Sequence, residues 1–466
     1  MRAIARRSIV PLLWLAACGR LKEPTALPLP SALDHVVVDS VAIGARLDIG
    51  VSAATRVQVR YWTNEGDAPL EVVASLSPSD SEVVLTRLAH GRTYQFAASA
   101  LTADGRAGPA TAGQFTTPAL PADLANMRFD ATGSATDPLL MLEVRGTDGF
   151  NGFVAIDTRG EVVWYYRTEG VPQGSTRRAN GNFILNDLGH GLREVTPNGD
   201  VVHTMESDAT GIIPHHDVIA TPSNTLLFIA HDERVASNGA SIAGEAIWEW
   251  APESGALQKR WSAWDWLDPS TDWGDLSYDG DWLHGNSLSM GPHGNVLISF
   301  NFLSQVVSIA PDFSRVEWRL GGARSDFALD TGTVFSGQHS VTEPAEGHVL
   351  MFDNGRARQD GAKYTRGLEL QLDTVAHRAT TAWEFRPAAA IFAPYLGTAQ
   401  RLANGNTVLF FGTANGPFAD QIASGPISGY EVTPAGTVVW HLDVGNALSV
   451  YRGTPLPSIG GEKDAP

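Results

Sequence analysis

One recurrence constrains the fold of this chain more than any other feature. A turn rich in Asn or Gly leads into an apolar run at Asn180-Gly181-Asn182-Phe183-Ile184-Leu185, Asn224-Thr225-Leu226-Leu227-Phe228 and Gly294-Asn295-Val296-Leu297-Ile298. The same pattern returns at Gly347-His348-Val349-Leu350-Met351-Phe352 and Asn404-Gly405-Asn406-Thr407-Val408-Leu409-Phe410. Farther along each unit a second strand-like run ends in Trp164, Trp261, Trp318, Trp383 or Trp440, and in one unit His203 takes that place. Strand pairs recurring at roughly 40–60 residues predict a β-propeller of four-stranded blades. Counting gives six blades over residues 120–466, the first and last sharing strands to close the ring. The Trp-ended strand is expected on the outside of each blade, as packing rather than as a cofactor box.

Residues 34–119 precede the repeat and alternate as short strands, for example Arg56-Val57-Gln58-Val59-Arg60-Tyr61-Trp62 and Thr93-Tyr94-Gln95-Phe96-Ala97-Ala98. Their length suits a sandwich. Leu88-Ala89-His90-Gly91-Arg92-Thr93-Tyr94 and the ending Phe115-Thr116-Thr117-Pro118 resemble a fibronectin type III module. The fold class expected is therefore all-β, a sandwich followed by a six-bladed propeller. The sandwich holds no cluster of reactive residues and reads as a spacer or docking domain, independent of the rest.

Residues 1–18 read as a targeting segment. Arg2, Arg6 and Arg7 precede a short apolar stretch, Ile9 to Leu15, too short to span a bilayer. It ends Leu15-Ala16-Ala17-Cys18-Gly19, which resembles a bacterial lipobox, and Cys18 is the sole cysteine, so no intrachain disulfide can form. Acylation there would tether the protein to the cell envelope, facing the periplasm or the surface, through lipid alone. Residues 19–33 form a Pro-rich linker. Lys plus Arg number 33 against 51 Asp plus Glu, a net charge of −18, which argues against nucleic acid and polybasic membrane binding.

Three histidine clusters stand at one phase of the repeat, each just ahead of an apolar strand. They are His215-His216-Asp217, Asp281-Trp282-Leu283-His284-Gly285-Asn286-Ser287 and Gly337-Gln338-His339-Ser340. Equivalent positions in repeated units cluster in space, so His216, His284 and His339 are expected to converge at one mouth of the central channel. Gly397-Thr398-Ala399, at the matching point of the last unit, reads as small residues leaving room for a ligand. The insertion from Trp261 to Trp282 could wall the mouth with aromatic faces. The HxH and HxxxH spacings of common zinc sites are absent, although Asp217 and Asp353 could support metal-bound imidazoles. An imidazole can instead attack an electrophilic sulfur or phosphorus centre, with neighbouring donors stabilising the anion. Neither a Gly-rich phosphate loop nor a Gly-x-Ser-x-Gly elbow is present.

These motifs, with Trp261-Ser262-Ala263-Trp264-Asp265, Phe352-Asp353-Asn354-Gly355, Leu396-Gly397-Thr398-Ala399-Gln400 and the ending Tyr451-Arg452, resemble the bacterial arylsulfotransferases that use no sulfonucleotide donor. The resemblance implies ping-pong transfer of a sulfuryl group from an aryl sulfate ester to a phenol through a sulfated histidine, without cofactor or metal. Position by position, it makes His339 the nucleophile and His284 and His216 donors to the sulfate or the phenolic oxygen. It implies substrate contacts for Asn286, Asp353, Asn354, Trp282 and Asn301. One departure stands out. Where the family carries a sulfate-binding arginine, this chain has Asn301, which lacks the charge and the bidentate fork of a guanidinium. Arg356 and Arg401 are the candidate replacements. Two other readings keep the same residues: a propeller that only binds a ligand or partner at this mouth, and a metal-dependent hydrolase.

Overall fold

The structure is a computed structural model describing residues 33–465, apart from 42, 64–67, 236–238, 240, 279, 359–360 and 419–420. The targeting segment and Cys18 lie outside the described residues. Nearly all regular structure is β.

From Arg128 to Leu456 the described residues form six sheets of four or five strands, whose consecutive strands pair antiparallel, and one small two-stranded sheet. Their first strands in sheets two to six are Val171–Arg177, Pro214–Ala220, Gly285–Met290, His339–Ala345 and Thr398–Arg401. Each packs on the next, and Ala447–Leu456, the innermost strand of sheet one, completes the circuit between the sixth and the second. That strand comes from the far end of the repeat and pairs with Leu139–Gly146. Conversely Arg128–Gly133, from its beginning, lies outside Val438–Gly445 of the sixth sheet. Strands are thus exchanged in both directions.

The apolar runs are continuous, not alternating, because both faces of each sheet are covered. In Val349-Leu350-Met351-Phe352 the odd members pack against the fourth sheet with Leu297 and Val306. Leu350 and Phe352 face the sixth sheet with Leu409 and Phe411. The same division holds around the circuit, giving six apolar clusters between successive sheets. Trp164, Trp261, Trp318, Trp383 and Trp440 all lie on the fourth strand out from the centre, as does His203. Three of these indoles donate to a turn carbonyl of the neighbouring sheet: Trp164 to Pro197 at 2.9 Å, Trp383 to Pro434 at 3.1 Å and Trp440 to Thr158 at 2.9 Å. Each such bond joins adjacent sheets while giving the indole N–H an acceptor.

Ahead of the circuit, a three-stranded sheet and a five-stranded sheet share one core that includes Leu47, Val59, Tyr61, Leu85 and Phe96. This unit is more closely tied to the rest than its sequence suggests. Lys463–Asp464 pairs with Glu71 and Leu70 as an edge strand of the five-stranded sheet. Buried Glu462 accepts from Thr86 Oγ1 at 2.7 Å and from the backbone N–H groups of Ile459 and Gly460. Ile43 and Ile459 belong to the apolar cluster between the first and second sheets.

Candidate active site

The innermost strands share a backbone device near their starts. A residue with left-handed backbone occurs there in the second to sixth sheets: Gly174, His216, His284, Ser340 and the pair Leu396-Gly397. In the second to fifth sheets the strand register also slips at this point. The bulge turns a side chain from the sheet face toward the centre. Left-handed backbone costs a side-chain-bearing residue on the order of 1–3 kcal/mol, so its use at His216 (φ 61°) and His284 (φ 52°) marks where strain is tolerated for position.

The three histidines do converge. The rings of His216 and His284 lie 4.7 Å apart and nearly perpendicular. Tyr451, on the innermost strand of the first sheet, lies 5.9 Å from His216 and 6.4 Å from His339. Its hydroxyl donates to Asn286 O at 3.2 Å, and burial pushes its pKa well above the ordinary phenol range.

His339 is positioned by its neighbours on both sides. Gln338 donates to Ser299 Oγ at 2.9 Å and to the carbonyls of Phe300 and Gln305. Its own carbonyl accepts from Asn286 Nδ2 at 2.8 Å and Asn301 Nδ2 at 3.3 Å. His339 Nδ1 lies 2.8 Å from Asn354 Oδ1, and Asn354 Nδ2 donates to the carbonyls of Ala393 and Leu396. The amide's donors being committed, Oδ1 must accept, so the proton sits on Nδ1 and the lone pair on Nε2. Burial holds the imidazole pKa down at about 3, outweighing the bond to Asn354, so the ring is neutral near pH 7.

His284 is oriented by Asp281, which accepts from its Nδ1 at 2.8 Å and from its backbone N–H at 3.0 Å. Burial opposes ionisation of Asp281, but these bonds to His284 outweigh it and hold the carboxyl below its usual range. The His284 ring stacks on Phe302 at 4.4 Å, and Tyr278 leans on the other side of that contact, 5.6 Å from Phe302. Phe302 and Tyr278 therefore supply the aromatic wall. Trp282 is fully buried and packs on Trp264 at 5.4 Å, in the core between the third and fourth sheets.

His216 is held by His215. Their Nδ1 atoms are 2.7 Å apart, and His215 Nε2 is 3.0 Å from Glu245 Oε2. Burial takes His216 well below its ordinary pKa and His215 to about 3, with neighbouring imidazoles adding to both shifts. His231 lies beside them, stacked 4.2 Å from His215 with Nδ1 3.6 Å from Glu245 Oε2. The ligand-type atoms of His215, His231 and Glu245 fall within 4.8 Å of one another. Two imidazoles turn toward one carboxylate oxygen there, His215 within hydrogen-bond distance and His231 beyond it.

The remaining expected site residues face protein groups. Asn301 Nδ2 donates to Gly337 O at 2.8 Å, so it holds the loop ahead of His339 in the place where a sulfate-binding arginine is expected. Asp353 accepts from Ser336 N and Gly355 N and pairs with Arg358 and Arg366. Asp217 takes both arms of Arg452, at 2.7 and 3.0 Å, and Leu288 N. Arg401 is tied to Glu369, Thr407 and Gly405. Arg356 lies over the rings of Tyr395 and Phe302, one ring from His284. Gly397 does not leave room for a ligand: a Cβ there would stand 2.2 Å from Phe352, so its smallness serves packing. Glu245, His231, Phe302 and Tyr451 are the residues that motif reading missed. Only Tyr451 carried a signal, through its place in the final motif.

The family model described as Arylsulfotransferase (ASST) matches residues 128–430, well over half of the chain. The chain belongs to the arylsulfotransferase family. No curated protein matches this arylsulfotransferase-family chain. Among solved structures, a protein of unknown function from Bacteroides caccae is similar at 14% identity and TM-score 0.44, over 69% of this chain and 100% of that one. The virginiamycin B lyase of Staphylococcus aureus is similar at 10% identity and TM-score 0.35, over 83% of this chain and 99% of its own.

Proposed function

We propose that the protein transfers a sulfuryl group from an aryl sulfate ester to a phenol, with His339 as the covalent carrier. In this reading the six sheets are the blades of a propeller, and the leading unit is a fibronectin type III-like sandwich. The observation that carries it is the Nδ1 bond from His339 to Asn354 Oδ1, which leaves a neutral, fixed Nε2 lone pair among further imidazoles. Nε2 attacks sulfur, the S–N bond forms, and the S–O bond to the first phenol breaks. The second phenol then attacks sulfur and releases Nε2. Fixed imidazole and backbone donors around the sulfonate lower the barrier most when they need not reorganise.

The test is nitrophenol release from p-nitrophenyl sulfate with a phenol acceptor, without nucleotide or metal, followed by mass analysis for a sulfated peptide containing His339. A second reading is favoured by Asn301, whose amide serves a loop where the family has a guanidinium. On that reading the mouth binds aryl ligands without turnover. Ligand binding with no nitrophenol release selects it.

We also propose anchoring of the mature protein to the bacterial envelope, periplasm-facing or on the surface, by acylation at Cys18. Cys18→Ala should release the protein from membranes with its fold intact. Membrane retention by that variant would overturn the anchor.

A further inference from the structure

The third sheet carries a line of titratable groups of which the transfer reaction as described uses only the last. It runs from His231, whose side chain is 40% exposed, through fully buried Glu245 and buried His215, to His216 at the mouth. Glu245 Oε1 accepts from Gly285 N at 2.8 Å, which leaves Oε2 for His215 Nε2 at 3.0 Å. Only one proton fits between the Nδ1 atoms of His215 and His216, 2.7 Å apart. Two arrangements satisfy every atom. If His215 holds that proton, its Nε2 must accept, Glu245 must be a carboxylic acid, and His216 presents Nε2–H to the mouth. If His216 holds it, Glu245 is a carboxylate and His216 presents a bare Nε2. The two differ by one proton, gained or lost at the mouth.

We infer that Glu245–His215–His216 is a proton relay that protonates the departing phenolate and takes the proton back from the incoming phenol. This rests on the sulfuryl-transfer reading and adds groups to it that never touch substrate. As the first S–O bond breaks, the phenolate oxygen takes the Nε2 proton of His216. His216 Nδ1 receives the proton of His215 Nδ1, and His215 Nε2 receives that of Glu245 Oε2, leaving a carboxylate. When the acceptor phenol attacks sulfur, its proton enters at His216 Nε2 and the same three shifts run backward. Between the half-reactions the missing proton is recorded as a charge on Glu245. The groups facing that carboxyl are His215, His231, Asp281, His284 and the Gly285 N–H. Burial, with the Asp281 charge adding to it, pushes the carboxyl up to about 8 against His231, Gly285 and His284, so the protonated, uncharged acid is the resting form near neutral pH.

Glu245→Gln keeps a donor toward His215 and hence the same tautomers, but it cannot release a proton. A proton donor matters most when the leaving phenolate is basic. The expected result is a loss of about 100-fold or more in kcat/KM with phenyl sulfate, with less than about tenfold lost for p-nitrophenyl sulfate. His215→Asn, which interrupts the line, should reproduce this pattern, and far-ultraviolet circular dichroism checks that both variants are folded. Equal losses with the two donors, or none, in folded variants of an active wild type overturn the relay and leave the transfer reading standing. A wild type that transfers from neither donor, or transfer that survives His339→Asn, overturns that reading and the relay with it. One divalent ion per chain, lost in His231→Asn, also overturns the relay, because a metal would occupy the lone pairs it needs.

Discussion

His339 in the fifth sheet and His216 in the third face the same tyrosine, yet their Nδ1 atoms are held by different chemistry. An amide holds His339: Asn354 is itself locked by two carbonyls and has no proton to exchange, so one tautomer is enforced. An imidazole backed by a buried carboxyl holds His216, and that chain has two arrangements. In the proposed transfer, histidines at adjacent places in the repeat, His216 on the left-handed residue and His339 one before it, are given opposite roles by the group behind the ring. A carrier needs a lone pair that never leaves, whereas a donor needs a proton it can give up and recover.

Removing the two rings should break this comparison most sharply. His339→Asn is expected to abolish transfer, by about 10⁴-fold or more, together with the sulfated peptide, because no other of these rings has its Nδ1–H held by a neutral amide whose own donors are committed. His216→Asn should cost about 100-fold and leave the sulfated peptide detectable by mass analysis.

Asn354→Asp sharpens the contrast by giving His339 a carboxylate like the one that orients His284. The tautomer is kept, but the imidazolium is favoured and the His339 pKa rises from about 3. Transfer should then fall as the pH drops, by about tenfold at pH 5, where the wild type shows no such limb in its kcat/KM profile.

The carboxyl behind His216 should also be visible in stability. Its folded-state pKa of about 8 lies above the ordinary 4.5, so the folded state holds the proton more tightly. Stability is full below about 4.5 and is lost as the pH rises through 8. Urea denaturation at pH 5 and pH 9 should show Glu245→Gln flattening this fall by on the order of 4 kcal/mol.

The smallest effect belongs to a change far from both rings. Glu462→Ala leaves Thr86 and two backbone N–H groups without their acceptor. It should cost about 1–3 kcal/mol in denaturation while leaving the two donors' relative rates unchanged.

Much of this arrangement was legible because it is periodic. The turn-and-strand recurrence gave the sheets, the Trp positions gave their fourth strands, and the nearly common phase of His216, His284 and His339, the last one residue ahead of its left-handed neighbour Ser340, gave their convergence. What escaped was whatever joins one sheet to another. Glu245 sits on a third strand with nothing in its local sequence to connect it to His215, and Asn301 reaches a loop of the next sheet. Gly397 looked like open space because the ring that fills it, Phe352, belongs to another strand. Side-chain roles set across sheets leave no mark at fixed sequence spacing.

The innermost strand of the first sheet, Ala447–Leu456, carries Tyr451 and Arg452 into the middle of the histidines. Until that strand docks, Leu139–Gly146 has an open edge, Asp217 has no guanidinium, and Tyr451 is missing from between His216 and His339. Closure of the circuit and completion of the histidine cluster therefore depend on the same strand. On the proposed function, a chain interrupted before Ala447 is expected to lack transfer activity, since Tyr451 and Arg452 are then missing. Sulfuryl transfer, if the proposed function holds, would therefore report a finished circuit.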